Sequence, residues 1–317
     1  MEPGVPAVLG GTDFAPDPPE HGESSGLRLA FADWLVAEDN RVTWRVASNR
    51  LWQHLFGRGI VRSSDDFGSL GTQPTHPGLL DWLAREFNRQ DGSRREVARL
   101  ILESSTYRMS NQFDERSYNK DPLNDLAWRR DLRRLSAEEL RDSILAMSGQ
   151  LNPELRGPGV YPPLPRAVLE TASRPDQAWG RANDAQAGRR SLYVFLKRSL
   201  RHPFLEGFDQ PDTDRPCSVR FATTVPTQSL MMMNSEFMDR QAARFARRLR
   251  SERPDDLRSQ IQRGLHLTLC RPPSDEEVEN LIKLIDDLQT QDGLDPSEAL
   301  EASCVLMLNL NEFLHIG

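Results

Sequence analysis

His54, His76 and Asp81 are the side chains of this sequence best suited, by type and spacing, to acid–base chemistry. His54 lies four residues after Arg50, about one helical turn on, and His76 follows Thr75 where Pro77 opens a helix. With Asp65, Asp66 or Asp81, the two imidazoles would supply nitrogen and oxygen donors for a divalent metal. No helical His-x-x-x-His pair accompanies them, and no glutamate lies between ligands. The plainer reading packs His54 beside Trp52 and Phe56, lets His76 cap a helix, and has no metal site. The same aspartates offer paired carboxylates of the kind that hydrolyse glycosides. Asp65-Asp66-Phe67-Gly68 looks superficially like the magnesium motif of kinases, but no glycine-rich loop, strand lysine or His-Arg-Asp goes with it. Nucleophile elbows and phosphate or dinucleotide fingerprints are also missing.

Arginine is the residue type with the most to explain. Arg50, Arg108, Arg134, Arg141, Arg190 and Arg220 all stand near acidic neighbours. A guanidinium fork suits bidentate carboxylate pairing, so these arginines are expected to form a buried lattice joining helices. The sharper version is a pocket presenting forks to an anionic substrate such as a sulfated or carboxylated sugar. Arg50, Arg108 and Arg190, with Asn49, are its candidate binding residues. Arg244, Arg247, Arg248 and Arg250 read as a solvated helix end that suits the helix dipole. Met231, Met232 and Met233 read as core filler.

Composition narrows the field. The 317 residues carry a net charge of −7 with arginine far outnumbering lysine, which argues against a nucleic-acid partner. No apolar run approaches the roughly 18 residues of a membrane span. The start, Met1-Glu2-Pro3-Gly4-Val5-Pro6, has neither the charged nor the apolar region of a signal peptide. Cys217, Cys270 and Cys304 are widely spaced, and no Cys-x-x-Cys-His attaches haem, so no cofactor is expected in this chain. Cys270 and Cys304 fall in apolar helical patterns and read as buried free thiols.

The elements that must position these groups are mostly helices. Residues 1–25 read as an extended Pro/Gly-rich lead-in, and residues 26–317 as one α-rich domain with long loops and at most a minor β element. Helical periodicity starts near Leu27, with Leu29, Phe31, Trp34 and Leu35 on one stripe. Asn40 caps a helix running to Gly57, and Pro77 opens one whose apolar face is Leu79, Leu80, Trp82, Leu83 and Phe87. Capping boxes at Ser93/Glu96, Ser136/Glu139 and Ser274/Glu277 start three more, and Asp295-Pro296-Ser297-Glu298 opens the last. Residues 150–188 hold too many prolines for regular structure. Residues 189–196 are β-prone, and Pro226 starts a long helix covering Leu230 to Leu249.

Seven blocks occur in order. Asn49 to Gly59, Thr75 to Leu83 and Ser104-Ser105-Thr106-Tyr107-Arg108 form one series; Arg134 to Asp142 and Arg190-Ser191-Leu192-Tyr193 form a second. Thr223-Thr224-Val225-Pro226-Thr227-Gln228-Ser229-Leu230 with Asn234-Ser235, and Leu308-Asn309-Leu310-Asn311-Glu312-Phe313, complete them. Together they resemble the carboxy-terminal domain of a large planctomycete family, the domain of unknown function numbered fifteen-fifty-three. The resemblance implies an exported multidomain protein, often with an upstream cytochrome-c-like domain and sometimes a lectin-like jelly roll. On that comparison Glu2 to Ala7 resembles the lead-in to the final domain, so an upstream domain or partner chain, with any haem c, is expected outside this chain. The implied role is an accessory or binding module of a cytochrome-c-linked system, connected with polysaccharide handling. The alternative is an enzyme acting on a carbohydrate or other anionic substrate through a His/Asp/Arg pocket.

Overall fold

A computed structural model of the chain describes residues 4–6, 9, 24–254 and 256–317, and of Arg41 the backbone only. The expected lead-in over 1–25 lies outside the described residues except at 4–6, 9, 24 and 25. The protein is mainly α, 53% helical with sixteen helices and one two-stranded pair among the described residues. The chain divides into two compact units, one running to Leu132 with Gly317 added, the other Arg133–Ile316.

The first unit holds α1 (Leu27–Val36), α2 (Arg41–Phe56), α3 (Pro77–Arg89), α4 (Arg94–Glu103) and α5 (Glu115–Lys120). Asn40 starts α2 as expected, its side chain accepting from Thr43 N at 3.2 Å, and Gly57 ends it at φ 85°. Only glycine adopts that left-handed cap without steric cost. Ile60, Val61, Leu80, Leu83, Phe87, Val97 and Ile101 make the core, covered by Trp44, Leu51, Trp52, Leu55 and Phe56. Two expectations of burial fail. Trp82 is 46% exposed on the outer side of α3. The α1 stripe buries nothing, and Phe31 and Trp34 stack on each other at 5.7 Å instead. The capping box of α4 is half made: Ser93 accepts from Glu96 N, while the Glu96 carboxylate turns to Arg99 at 3.7 Å.

The second unit begins with β1 (Arg133–Arg134) and α6 (Ala137–Met147), then the single turns α7 (Arg166–Leu169), α8 (Pro175–Ala178) and α9 (Asp184–Ala187). A 3₁₀ turn (Ser191–Tyr193) and α10 (Pro203–Gly207) follow, then α11 (Pro226–Asn234), α12 (Glu236–Glu252), α13 (Leu257–Leu269), α14 (Asp275–Thr290), α15 (Pro296–Leu308), α16 (Asn311–Leu314) and β2 (His315–Ile316). β1 and β2 pair antiparallel, Arg133 with Ile316 and Arg134 with His315. The capping boxes of α6, α14 and α15 are all formed. The core fills with Ile144, Phe245, Leu249, Ile261, Val278, Ile285, Leu300 and Met307. Phe245 is fully buried there, so Phe245→Ala should cost about 3–5 kcal/mol in urea unfolding, the range for removing a buried aromatic ring.

Several local expectations are corrected here. Residues 150–188 contain three helical turns, because proline is tolerated in a first turn, as at Pro175, and Asn183 caps α9. Residues 189–196 form the 3₁₀ turn and no strand; their β pairing among the described residues is two isolated parallel bridges, Asn152 with Arg189 and Val160 with Val194. The turn is imposed by Asp142, whose carboxylate accepts from Ser191 N at 2.7 Å. The long helix from Pro226 breaks at Ser235, which is extended at φ −88° and ψ 139° and caps α12 by accepting from Met238 N. A serine side chain competes with the helix for backbone donors, and here it wins. Met232 is buried, but Met233 is 58% exposed. Cys270 is exposed at the left-handed end of α13, whereas Cys304 is buried and burial pushes its thiol pKa up.

Candidate functional site

In the first unit the residues singled out from sequence are dispersed. Asn49 is completely buried and holds the backbone of the loop that follows α2. Its Oδ1 accepts from Val61 N at 2.8 Å and its Nδ2 donates to Val61 O at 3.0 Å. Gln53, one turn on, accepts from Ser64 Oγ at 2.7 Å. Gly59 is required by this clamp, since a Cβ there would lie 2.6 Å from both Asn49 Nδ2 and Val61 O. The Asn49–Gly59 block is therefore a device for folding the chain back on α2.

His54, expected beside Trp52 and Phe56, is exposed, and those two rings stack on each other at 4.1 Å. His76 bonds Thr75 Oγ1 at 3.0 Å and lines a hollow of about 50 Å³. Asp81 lines a different, open groove and faces Arg45 Nε at 2.7 Å. That Nε–H is not aligned on the oxygen, so the pair is coulombic more than hydrogen-bonded. Arg50 and Arg108 are exposed, and neither side chain has a partner among the described residues.

The arginines of the second unit are engaged. The Arg134 side chain, 8% exposed, binds Asp209 at 2.5 Å, Gln228 Oε1 at 2.6 Å and the Thr223 carbonyl, tying the block at 134–142 to the block at 223–230. Arg220 pairs with Glu138 at 2.6 Å. Arg190, half exposed, reaches Asp142 at 3.4 Å. Of the four arginines expected on a solvated helix end, only Arg247 is exposed. Arg248 donates to the Ala146 and Met147 carbonyls, Arg250 to Ser297, and Arg244 pairs with Asp184 at 3.0 Å.

Arg141 is the exception. It is 1% exposed on the inner face of α6, yet its bonds go to neutral acceptors. Nη1 donates to Arg189 O and Ser191 Oγ, both at 3.1 Å, and Nη2 to Ala187 O at 2.6 Å. Asp142 Oδ1 lies 3.9 Å away, beyond hydrogen-bond range, and that carboxylate serves Ser191 N and Arg190. Burial draws the Arg141 pKa down to about 10, with Asp142 opposing, so the group stays cationic at neutral pH.

Local sequence explains why carbonyls face it. Gly188 lets the chain at Gln150 approach so closely that a Cβ would lie 2.2 Å from Gln150 O. Asn152 N then bonds Gly188 O at 2.8 Å, which fixes the carbonyls on either side of Gly188. Arg189, buried and stacked on Tyr193 at 4.0 Å, holds Pro158 O and Arg156 O and anchors the other flank.

Beside Arg141 lies a cavity of about 290 Å³. Leu145, Pro162, Pro163, Phe204, Met231 and Phe237 give it apolar walls; Arg141, His202 and Gln241 are its buried polar groups. Asp184, Glu236, Arg240 and Arg244 stand among the lining residues and pair with one another, Arg244 with Asp184 and Arg240 with Glu236 at 3.8 Å. His202, just before Pro203 at the start of α10, is 7% exposed, and its Nδ1 is buried with no partner. Burial and the Arg141 charge push its pKa down to about 3, so the ring is neutral at physiological pH. Arg141 Nε is likewise buried without a partner. A strongly shifted titratable group in an apolar cavity with orphaned polar atoms makes this the candidate site of the chain.

Sequence reasoning counted Arg141 among six family-block arginines and passed over His202. The available signal for His202 was its place before a proline at a helix start, the same pattern as His76-Pro77. Burial separates the two, and burial is a tertiary fact.

Fold and cavity together define a mainly helical protein whose second unit sets buried polar side chains beside an apolar cavity. The profile of a protein family of unknown function, DUF1553 (PSD1), matches residues 27–285, and the chain belongs to that family. No curated protein and no solved structure matches it.

Proposed function

We propose that the chain is an accessory binding module whose ligand seat is the Arg141–His202 cavity. The observation that carries this reading is a fully buried guanidinium with no carboxylate in hydrogen-bond contact, beside a neutral imidazole with an orphaned nitrogen. Buried charges are ordinarily paired at hydrogen-bond distance, and this one bonds two carbonyls and a hydroxyl, with Asp142 no nearer than 3.9 Å. A cavity of about 290 Å³ suits one small molecule, so any polysaccharide handling would belong to the wider assembly. That assembly, on this reading, is the exported, cytochrome-c-linked system implied by the family resemblance, with haem carried by an upstream domain or chain. No helix among the described residues is long and apolar enough to cross a membrane.

Catalysis draws less support. His54 is exposed, His76 and Asp81 line separate hollows, and His202, its pKa drawn down to about 3, is neither a charged acid nor an effective base at neutral pH. The test is a thermal-shift screen of small molecules against the wild-type protein and Ala187→Phe. That substitution fills the cavity while keeping the carbonyl that Arg141 uses. Ligands of the seat should raise the wild-type Tm by several degrees and leave the variant unmoved. A screen without hits, or hits that stabilise both proteins equally, would refute the binding reading.

A further inference from the structure

We infer that the ligand of this cavity is a carboxylate carried on a compact apolar body. The inference rests on the binding reading above and adds the chemical class. Three features lead to it. First, a guanidinium has five N–H donors, and the acceptors around Arg141 number three: Arg189 O, Ser191 Oγ and Ala187 O. Nε–H is left over but closed off from the cavity, so the second N–H on Nη2 is the donor that one carboxylate oxygen would meet, with the His202 ring in the same cavity for the other.

Second, the surrounding charges select for a single negative charge at depth. Arg240 and Arg244 face Glu236 at 3.8 Å and Asp184 at 3.0 Å, whereas the carboxylate nearest Arg141, Asp142 at 3.9 Å, is already bound to Ser191 N and Arg190. One incoming negative charge would complete what Asp142 at 3.9 Å only partly supplies; a second would be buried unpaired, at considerable cost. Third, His202 sits in the same cavity, and a neutral imidazole adds one N–H donor without adding charge. Gln241, its Oε1 occupied by Ser148 Oγ at 2.7 Å, adds an amide donor of the same kind. The remaining walls, chiefly Leu145, Phe204, Met231 and Phe237, are apolar and aromatic, which suits a ring or short branched chain.

The experiment titrates wild-type protein with benzoate, its neutral isostere benzamide, and phenyl phosphate, by calorimetry at pH 7.5. Benzoate should bind at least tenfold more tightly than either of the others. His202→Gln should weaken benzoate binding while leaving benzamide binding nearly unchanged. Arg141→Met should abolish the preference if it folds; the comparison of ligands on the wild-type protein decides the matter without it. Equal binding of benzoate and benzamide would overturn the carboxylate assignment and leave the cavity reading standing, and so would a preference for phenyl phosphate. If none of the three binds while the small-molecule screen still finds ligands blocked by Ala187→Phe, the carboxylate class alone is wrong. Silence in both experiments would sink the two together.

Discussion

Urea unfolding of the wild-type protein should lose about 2–3 kcal/mol of stability between pH 6.5 and pH 4.5, and His202→Gln should remove most of that loss. The ordinary histidine pKa of 6.5 is pushed down to about 3 in the folded protein by burial and by Arg141. Above pH 6.5 the ring is neutral in both states and contributes no pH dependence. Below it the unfolded chain takes up a proton that the folded chain refuses. The unfolded state then binds more protons, and stability falls by about 1.4 kcal/mol per pH unit until the folded ring titrates.

The window separates this effect from that of the carboxylates. Glu277 is held at about 2 by Arg271 and the Ser274 amide, and Glu139 at about 2, where the Arg133 and Ser136 bonds outweigh burial. Both have an ordinary value of 4.5, so what they add is lost mainly below that pH. Glutamine keeps a polar side chain of similar reach and cannot titrate. Parallel slopes for wild type and His202→Gln between pH 6.5 and 4.5 would show that the imidazole is not buried as described.

Asn49→Ala is expected to destabilise the first unit by about 3 kcal/mol, among the largest effects of any polar substitution here. The side chain is completely buried and satisfies both the N–H and the carbonyl of Val61. Alanine leaves those two groups without partners in a site closed by Gly59, each at a cost of about 1–3 kcal/mol. Asn49→Asp discriminates further, because a carboxylate can accept from Val61 N but faces Val61 O with no donor. Aspartate should therefore be about as damaging as alanine at pH 7. Chemical denaturation followed by tryptophan fluorescence reads the effect through Trp44 and Trp52, which pack on this core. A loss below about 1 kcal/mol for Asn49→Ala would mean that the clamp is dispensable.

Much of the fold was legible because it is written in short-range chemistry. Asn40, Ser136, Ser274 and Asp295 start helices where their side chains can reach amides two or three residues on, an interaction complete within one turn. Gly57 ends α2 for an equally local reason. Failures came where an equally local signal was overridden or outcompeted. Ser235 broke a run with helical propensity because its hydroxyl capped the next helix, and Ser191 turned into a 3₁₀ segment because Asp142, forty-nine residues earlier, held its amide. Cys270 and Cys304 sit in similar apolar patterns, but one lies at an exposed helix end and the other inside the core.

The candidate site was less legible than the fold. Sequence put weight on His54, His76 and Asp81 because their types suit chemistry, and the fold spreads them over an exposed helix face and two separate hollows. It also counted Arg141 as one of several alike. Arg134 and Arg220 found carboxylates, as an arginine–carboxylate lattice requires, whereas Arg141 found carbonyls. Gly188 brings those carbonyls into place by allowing a backbone approach that no side chain would permit.

By itself, then, the sequence determined where helices begin and end, that the protein is mainly α, and the family to which it belongs, since each depends on residues close together or on ordered blocks along the chain. Only the tertiary structure decided which cation lacks a carboxylate partner and which histidine is kept neutral. Pairing and desolvation depend on groups brought together from distant segments: α6, the turn after α9 and the start of α10 meet around one cavity, and no spacing along the chain encodes that meeting.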